Sequence, residues 1–150
     1  MRRLVWMVAG GLLVLACARP DAGETGDAAS GTGSGDGLVH SLEVGVDADT
    51  VRFTLYLTNA TDQAVVLQFP TAQRYDFEVR SPGGDRVWRW SDGQFFAQML
   101  GEETLAAGES VSYEASWSAS GQSGAHEAIG RVTSSSTPIE LRTEFEIPVR

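Results

Sequence analysis

From Leu38 onward, apolar and polar residues alternate in short runs separated by turn-forming clusters. A side chain on a strand changes face with every residue, so such alternation marks half-buried strands. Residues 38–46 place Leu42, Val44 and Val46 on one face, and residues 51–58 do the same with Val51, Phe53, Leu55 and Leu57. A third run, 65–69, ends at Pro70. Residues 74–80 alternate strictly, with Tyr75, Phe77 and Val79 opposed to Asp76, Glu78 and the flanking arginines. Residues 86–91 carry Trp88 and Trp90 on one side, a short run follows at 104–106, and residues 109–118 align Val111, Tyr113, Ala115 and Trp117. The last two strands fall at 125–133 and 139–149, the latter with Ile139, Leu141, Phe145 and Ile147. No long run with a helical period of 3.6 follows the N-terminal leader. Closely spaced short strands with turn signals predict an all-β domain, a sandwich or barrel.

The pattern centres on residues 69–96, which read FPTAQRYDFEVRSPGGDRVWRWSDGQFF. Its two alternating runs flank Ser81-Pro82-Gly83-Gly84, where proline presets one turn dihedral and glycine tolerates positive φ. This predicts an antiparallel hairpin, with aromatic pairs across it. The segment beyond it, 91–103, is different. It has no strand period, yet it gathers Phe95, Phe96, Met99 and Leu100. Such a group either folds back to cap one end of the sandwich or forms a contact surface for a partner. Phe95, Phe96 and Met99 are the candidate partner-binding residues.

Several motifs along this stretch resemble one family. They are Asn59-Ala60-Thr61-Asp62, the run from Phe69 to Val79, Val87-Trp88-Arg89-Trp90-Ser91, and Phe95. Leu105, Gly108-Glu109-Ser110, Tyr113 and Trp117 continue them. Together, from about Leu42 to Trp117, they resemble the BsuPI-type intracellular proteinase inhibitor domain. The resemblance implies an immunoglobulin-like antiparallel β-sandwich and a proteinase-binding role, the founding member being described as an inhibitor of a serine proteinase inside the cell. This chain departs from that setting because it begins with an export signal.

Met1-Arg2-Arg3 is a basic start and residues 4–16 are apolar, too short a run for the roughly 20 residues of a membrane-spanning helix. Together they describe a secretory signal. Val14-Leu15-Ala16-Cys17 looks like a bacterial lipoprotein box, and Cys17 is the sole cysteine of the chain. An unpaired cysteine in an exported protein needs an explanation, and lipid attachment at Cys17 supplies one. The chain is then expected in the cell envelope, anchored on its exported side, in the periplasm or on the outer membrane of a diderm cell. Residues 18–37 are rich in Gly, Ala, Ser, Thr and Asp and lack large apolar side chains, so they are expected to be a flexible tether. The expected division is a signal peptide at 1–16, the lipidated cysteine and tether at 17–37, and a folded domain at 38–150.

Composition narrows the function further. The formal net charge is −9 and lysine is absent, so every side-chain cation other than histidine is arginine. An acidic surface repels nucleic acid, which is excluded as a partner. Structural zinc needs clustered Cys and His, whereas His40 and His126 lie far apart, so no metal and no cofactor is expected. No G-x-S-x-G elbow is present and neither histidine has a context that would orient it, so no catalytic residues are assigned and the chain is not expected to be an enzyme. The leading reading is an exported, inhibitor-like domain acting on a serine proteinase. The alternatives are an envelope lipoprotein that docks other envelope proteins and, more remotely, a module that stacks sugars on exposed tryptophans.

Overall fold

Strand is the only regular structure among the described residues, which in this computed structural model are 28–35 and 37–149. The strands are β1 (Ala28–Gly35), β2 (Leu38–Asp47), β3 (Thr50–Asn59), β4 (Val65–Phe69) and β5 (Tyr75–Arg80). They continue with β6 (Arg86–Arg89), β7 (Gly101–Leu105), β8 (Ser110–Ser118), β9 (Gly124–Val132) and β10 (Ile139–Ile147). One sheet has the order β1-β2-β3-β8, a second the order β10-β9-β5-β6, and β4 and β7 form a two-stranded ribbon. All pairings are antiparallel. The chain crosses between the sheets after β3, after β6 and after β8. Thus β2-β3-β8 faces β10-β9-β5 in the strand order of an immunoglobulin-like Greek key. The fold is an immunoglobulin-like antiparallel β-sandwich.

The alternation read from the sequence becomes the two inner faces. Leu42, Val44, Val51, Phe53, Leu55 and Leu57 line one sheet, and Phe77, Val79, Ala128, Leu141 and Phe145 line the other. Phe53 joins the two. Its ring stacks on Phe77 at 5.6 Å and on Trp88 at 5.4 Å, and it meets Phe145 edge-on at 6.2 Å. Such aromatic pairs are worth about 0.5–1.5 kcal/mol each beyond the area they bury.

Three expectations change. Residues 28–35, expected in the flexible tether, form β1 and pair along the whole of their length with β2. Small residues make this possible rather than preventing it. A Cβ on Gly31 would stand 2.7 Å from the Arg142 carbonyl oxygen, so only glycine lets β1 lie against β10 at that point. The short run expected at 104–106 is instead β7, Gly101–Leu105, because its five residues find partners in β4. The polar face of β5 is not solvated. Asp76 is wholly buried and Glu78 is 4% exposed. Arg89 Nε reaches Asp76 at 2.6 Å, while Arg80 and Arg131 reach Glu78 at 2.6 and 3.0 Å. The arginines close over the carboxylates because β5 is central, with β9 on one side and β6 on the other. The signal sequence, Cys17 and the first part of the expected tether lie outside the described residues.

Candidate functional site

The apolar segment singled out above emerges from β6 and ends where β7 begins, so it runs from Trp90 to Leu100. Its first residues are held by the buried Asp76 carboxylate. Asp76 Oδ2 accepts hydrogen bonds from Arg89 Nε at 2.6 Å and from the Ser91 hydroxyl at 2.9 Å, and Oδ1 accepts the Ser91 backbone N–H at 3.2 Å. A turn follows, with Asp92 N–H donating to the Arg89 carbonyl at 3.2 Å and Gln94 N–H to the Ser91 carbonyl at 3.1 Å. Gln94 Nε2 donates back to the Trp90 carbonyl at 2.7 Å.

The centre and end of the loop are held as well. The Ala97 carbonyl accepts the Ala72 N–H at 2.9 Å. Phe96 turns inward and lies with its ring 5.7 Å from that of Trp90. Trp90 stacks on Tyr75 at 4.3 Å, and Tyr75 stacks on Tyr113 at 5.0 Å, so a column of rings carries the loop down to the core. Burial pushes the Tyr75 hydroxyl to a raised pKa, reinforced by Glu114; burial and the hydrogen bond to Glu103 raise that of Tyr113 strongly. Both phenols are therefore neutral over any physiological pH. At the far end Gly101 faces the Arg74 guanidinium, which a Cβ at that position would strike. Arg74 in turn sits over the Phe69 ring at 4.4 Å and donates to the Thr71 carbonyl at 2.9 Å.

On this fixed frame the outer side chains are bare. Phe95 is 100% exposed, Leu100 84% and Met99 62%. Of the three candidate contact residues, Phe95 and Met99 face solvent, whereas Phe96 turns inward against Trp90. Asp76, Arg74 and Trp90 are the residues that hold the loop. Asp76 was legible only as one charge on an alternating strand, since its partner Ser91 is fifteen positions away.

No acid–base constellation accompanies the loop. His126 is buried, with Nδ1 3.0 Å from the Gly124 carbonyl and its ring against Trp117 and Phe145. Among the described residues no group of three or more His, Cys, Asp or Glu is placed to hold a metal ion. Each described tryptophan has another ring stacked on it, Trp88 against Phe53 and Trp117, and Trp90 against Tyr75.

The sequence motifs that run through this loop and its frame match a family model described as BsuPI, intracellular proteinase inhibitor, over residues 38–137. The chain belongs to the BsuPI family. The BsuPI match covers β2 to β9 and the whole Trp90–Leu100 loop, and extends beyond the motifs seen in the sequence. It leaves out β1 and β10, which flank the BsuPI region and complete its two sheets. No curated protein matches the chain. Among solved structures, the GAE domain of GGA2p from Saccharomyces cerevisiae is similar at 15% identity, covering 80% of this chain and 97% of that one with a TM-score of 0.32.

Proposed function

We propose that this BsuPI domain is an exported, lipid-anchored inhibitor of a serine proteinase, and that the Trp90–Leu100 loop is the surface it offers to its target. Membership of a family described as proteinase inhibitors supports the general activity. The observation that carries the site is the combination of a wholly exposed Phe95 with a backbone pinned on both sides of it. A ligand that enters an active-site cleft loses less conformational freedom when its loop is already ordered, and an exposed aromatic that becomes buried in a partner is a typical energetic anchor. Met99 and Leu100 extend the apolar contact. The leader and Cys17 argue for a setting in the cell envelope, with the inhibitor held on the exported side, periplasmic or outer-membrane in a diderm cell. The target is then an exported proteinase rather than an intracellular one.

The test compares the full chain carrying Cys17→Ser with the same chain carrying Phe95→Ala and Met99→Ala against a panel of exported serine proteinases. Micromolar or tighter inhibition by the first, weakened at least about tenfold in the second, is expected. Inhibition of no member of the panel would contradict the function. Equal inhibition by both chains would move the contact away from this loop.

A further inference from the structure

Within the loop, one peptide bond is set apart from the rest. Phe95 projects fully into solvent, while Phe96 after it is half-buried and Gln94 before it, though exposed, is hydrogen-bonded back to the loop. On its N-terminal side the Gln94 side chain donates to the Trp90 carbonyl at 2.7 Å, and its N–H donates to the Ser91 carbonyl at 3.1 Å. On its C-terminal side the Phe96 ring rests on Trp90, 5.7 Å between centroids, and the next carbonyl, of Ala97, is tied to Ala72. Resting on the inhibitor reading above, we infer that Phe95 is the residue that enters the primary specificity pocket of the target, and that the Phe95–Phe96 bond lies across its catalytic serine. The target is therefore a serine proteinase with a deep apolar slot.

The argument is one of shape and retention. Specificity pockets of serine proteinases differ in kind: a hydrophobic slot accepts large aromatics, an acid at the base selects Arg or Lys, and a small pocket selects short side chains. A bare phenylalanine ring fits the first and neither of the others. No arginine lies within the loop to offer the second kind of contact, since Arg89 is engaged by Asp76 before the loop begins. Retention follows from the pins. Hydrolysis of Phe95–Phe96 consumes one water, whose hydroxyl goes to the Phe95 carbonyl carbon and whose proton goes to the Phe96 nitrogen. The new ends do not diffuse apart. Gln94 remains on Trp90 and Ser91, and Phe96 and Ala97 remain on Trp90 and Ala72. The Phe96 amine stays beside the Phe95 carboxyl group, so resynthesis of the bond, which releases the water again, competes with departure and the proteinase remains occupied, because reacting groups held together gain a high effective concentration. Trp90 serves the two sides differently, its backbone carbonyl holding Gln94 and its ring holding Phe96, and it is a positioning residue whose side chain secures the C-terminal side.

The experiment uses the full chain with Cys17→Ser against four probes: chymotrypsin and subtilisin for apolar slots, trypsin for an acidic base and elastase for a small pocket. The unaltered loop is expected to inhibit chymotrypsin or subtilisin at least about tenfold more tightly than trypsin or elastase. Phe95→Arg, at a fully exposed position where folding is not at stake, is expected to reverse the order in favour of trypsin. Trp90→Ala is expected to turn the chain into a substrate, cut between Phe95 and Phe96 in intact-mass measurements, while far-UV circular dichroism stays that of the parent. Inhibition of chymotrypsin that Phe95→Arg leaves unchanged would overturn the assignment of Phe95 and leave the inhibitor reading standing. Cleavage of the Trp90→Ala chain only at other bonds would overturn the placement of the Phe95–Phe96 bond. Inhibition of none of the four, by a chain with a native spectrum, would remove the inhibitor reading and this inference with it.

Discussion

Asn59 shows how much a single polar side chain decides in a sandwich without disulfides. It is wholly buried at the end of β3. Its Nδ2 protons are shared among the carbonyls of Gln63 at 2.7 Å, Leu105 at 2.9 Å and Ala106 at 3.1 Å. Its Oδ1 accepts the Thr61 N–H at 3.0 Å and the Thr61 hydroxyl at 2.7 Å. One residue thus closes its own turn and ties β3 to the β7–β8 connection. In the sequence Asn59 reads only as a turn residue. Its long-range partners, forty-six and forty-seven positions away, exist only once the fold has formed. Asn59→Ala removes a buried donor from the Leu105 carbonyl and is expected to destabilise by about 1–3 kcal/mol. Chemical denaturation checks this, and a loss below about 0.5 kcal/mol would show that the turn holds without it.

Elements made of contrasting residues were legible, and those made of small or purely polar ones were not. β3 and β8 announce themselves because Phe53, Leu55, Tyr113 and Trp117 alternate with polar neighbours. β1 also alternates in burial, but between Ala, Gly, Ser and Thr, which carry no apolar contrast to reveal the period. β7 is held to β4 through its backbone, and of its five residues only Leu105 is a buried apolar side chain, so its pattern resembles a loop. In the Trp90–Leu100 loop the apolar content was legible, but not which of two adjacent phenylalanines faces outward. That is decided by the Trp90 ring on which Phe96 rests. The charges on the outer face of the second sheet are likewise an effect of assembly. Glu78, on β5, is reached by Arg80 and Arg131; Arg131 also reaches Glu140 at 2.7 Å, and Arg142 joins Glu140 to Glu127. With no lysine in the chain, each of these cations is a planar guanidinium able to bridge two carboxylates.

This ladder and β1 set the response to acid. Burial alone pushes Glu78 upward, but the hydrogen bonds and charges of Arg80 and Arg131 together outweigh it and hold its pKa below 4.5. The same two kinds of arginine contact, from Arg131 and Arg142, lower Glu140. A carboxylate with a depressed folded-state pKa gives stability that is present above the unfolded value and lost as pH falls through the folded one. His40 acts earlier. Burial lowers its pKa from 6.5, its Nδ1 has no hydrogen-bond partner, and Gly33 of β1 lies against its ring. Its neutral form is favoured on folding, so that contribution is present above pH 6.5 and fades below it. The thermal midpoint is expected to decline gently below pH 6.5 and steeply below pH 4.5, with Glu78→Gln flattening the second fall. A midpoint unchanged between pH 7.5 and 3.5 would contradict both contributions.

At the scale of the whole molecule, strand structure is present ahead of the apolar pattern that starts at Leu38, since β1 spans Ala28–Gly35, and the family match begins only at β2. β1 and β10 lie outside that match and contact one another, so they close the same side of the sandwich. Cys17→Ser expressed in a diderm bacterium is expected to move the chain from the membrane to the soluble fraction and to abolish labelling by a radioactive fatty acid. Continued labelling of the mutant would place the lipid on a residue other than Cys17.

The central claim is that the Trp90–Leu100 loop occupies an active-site cleft, and affinity for an enzyme whose cleft is already filled tests it most directly. Binding of the full chain with Cys17→Ser is measured by calorimetry to chymotrypsin, once with its serine free and once sulfonylated by an aryl sulfonyl fluoride. Binding to the free enzyme, weakened at least about a hundredfold by the blocked serine, is predicted. Equal affinity for the two forms, or no binding to the free enzyme, would contradict the claim.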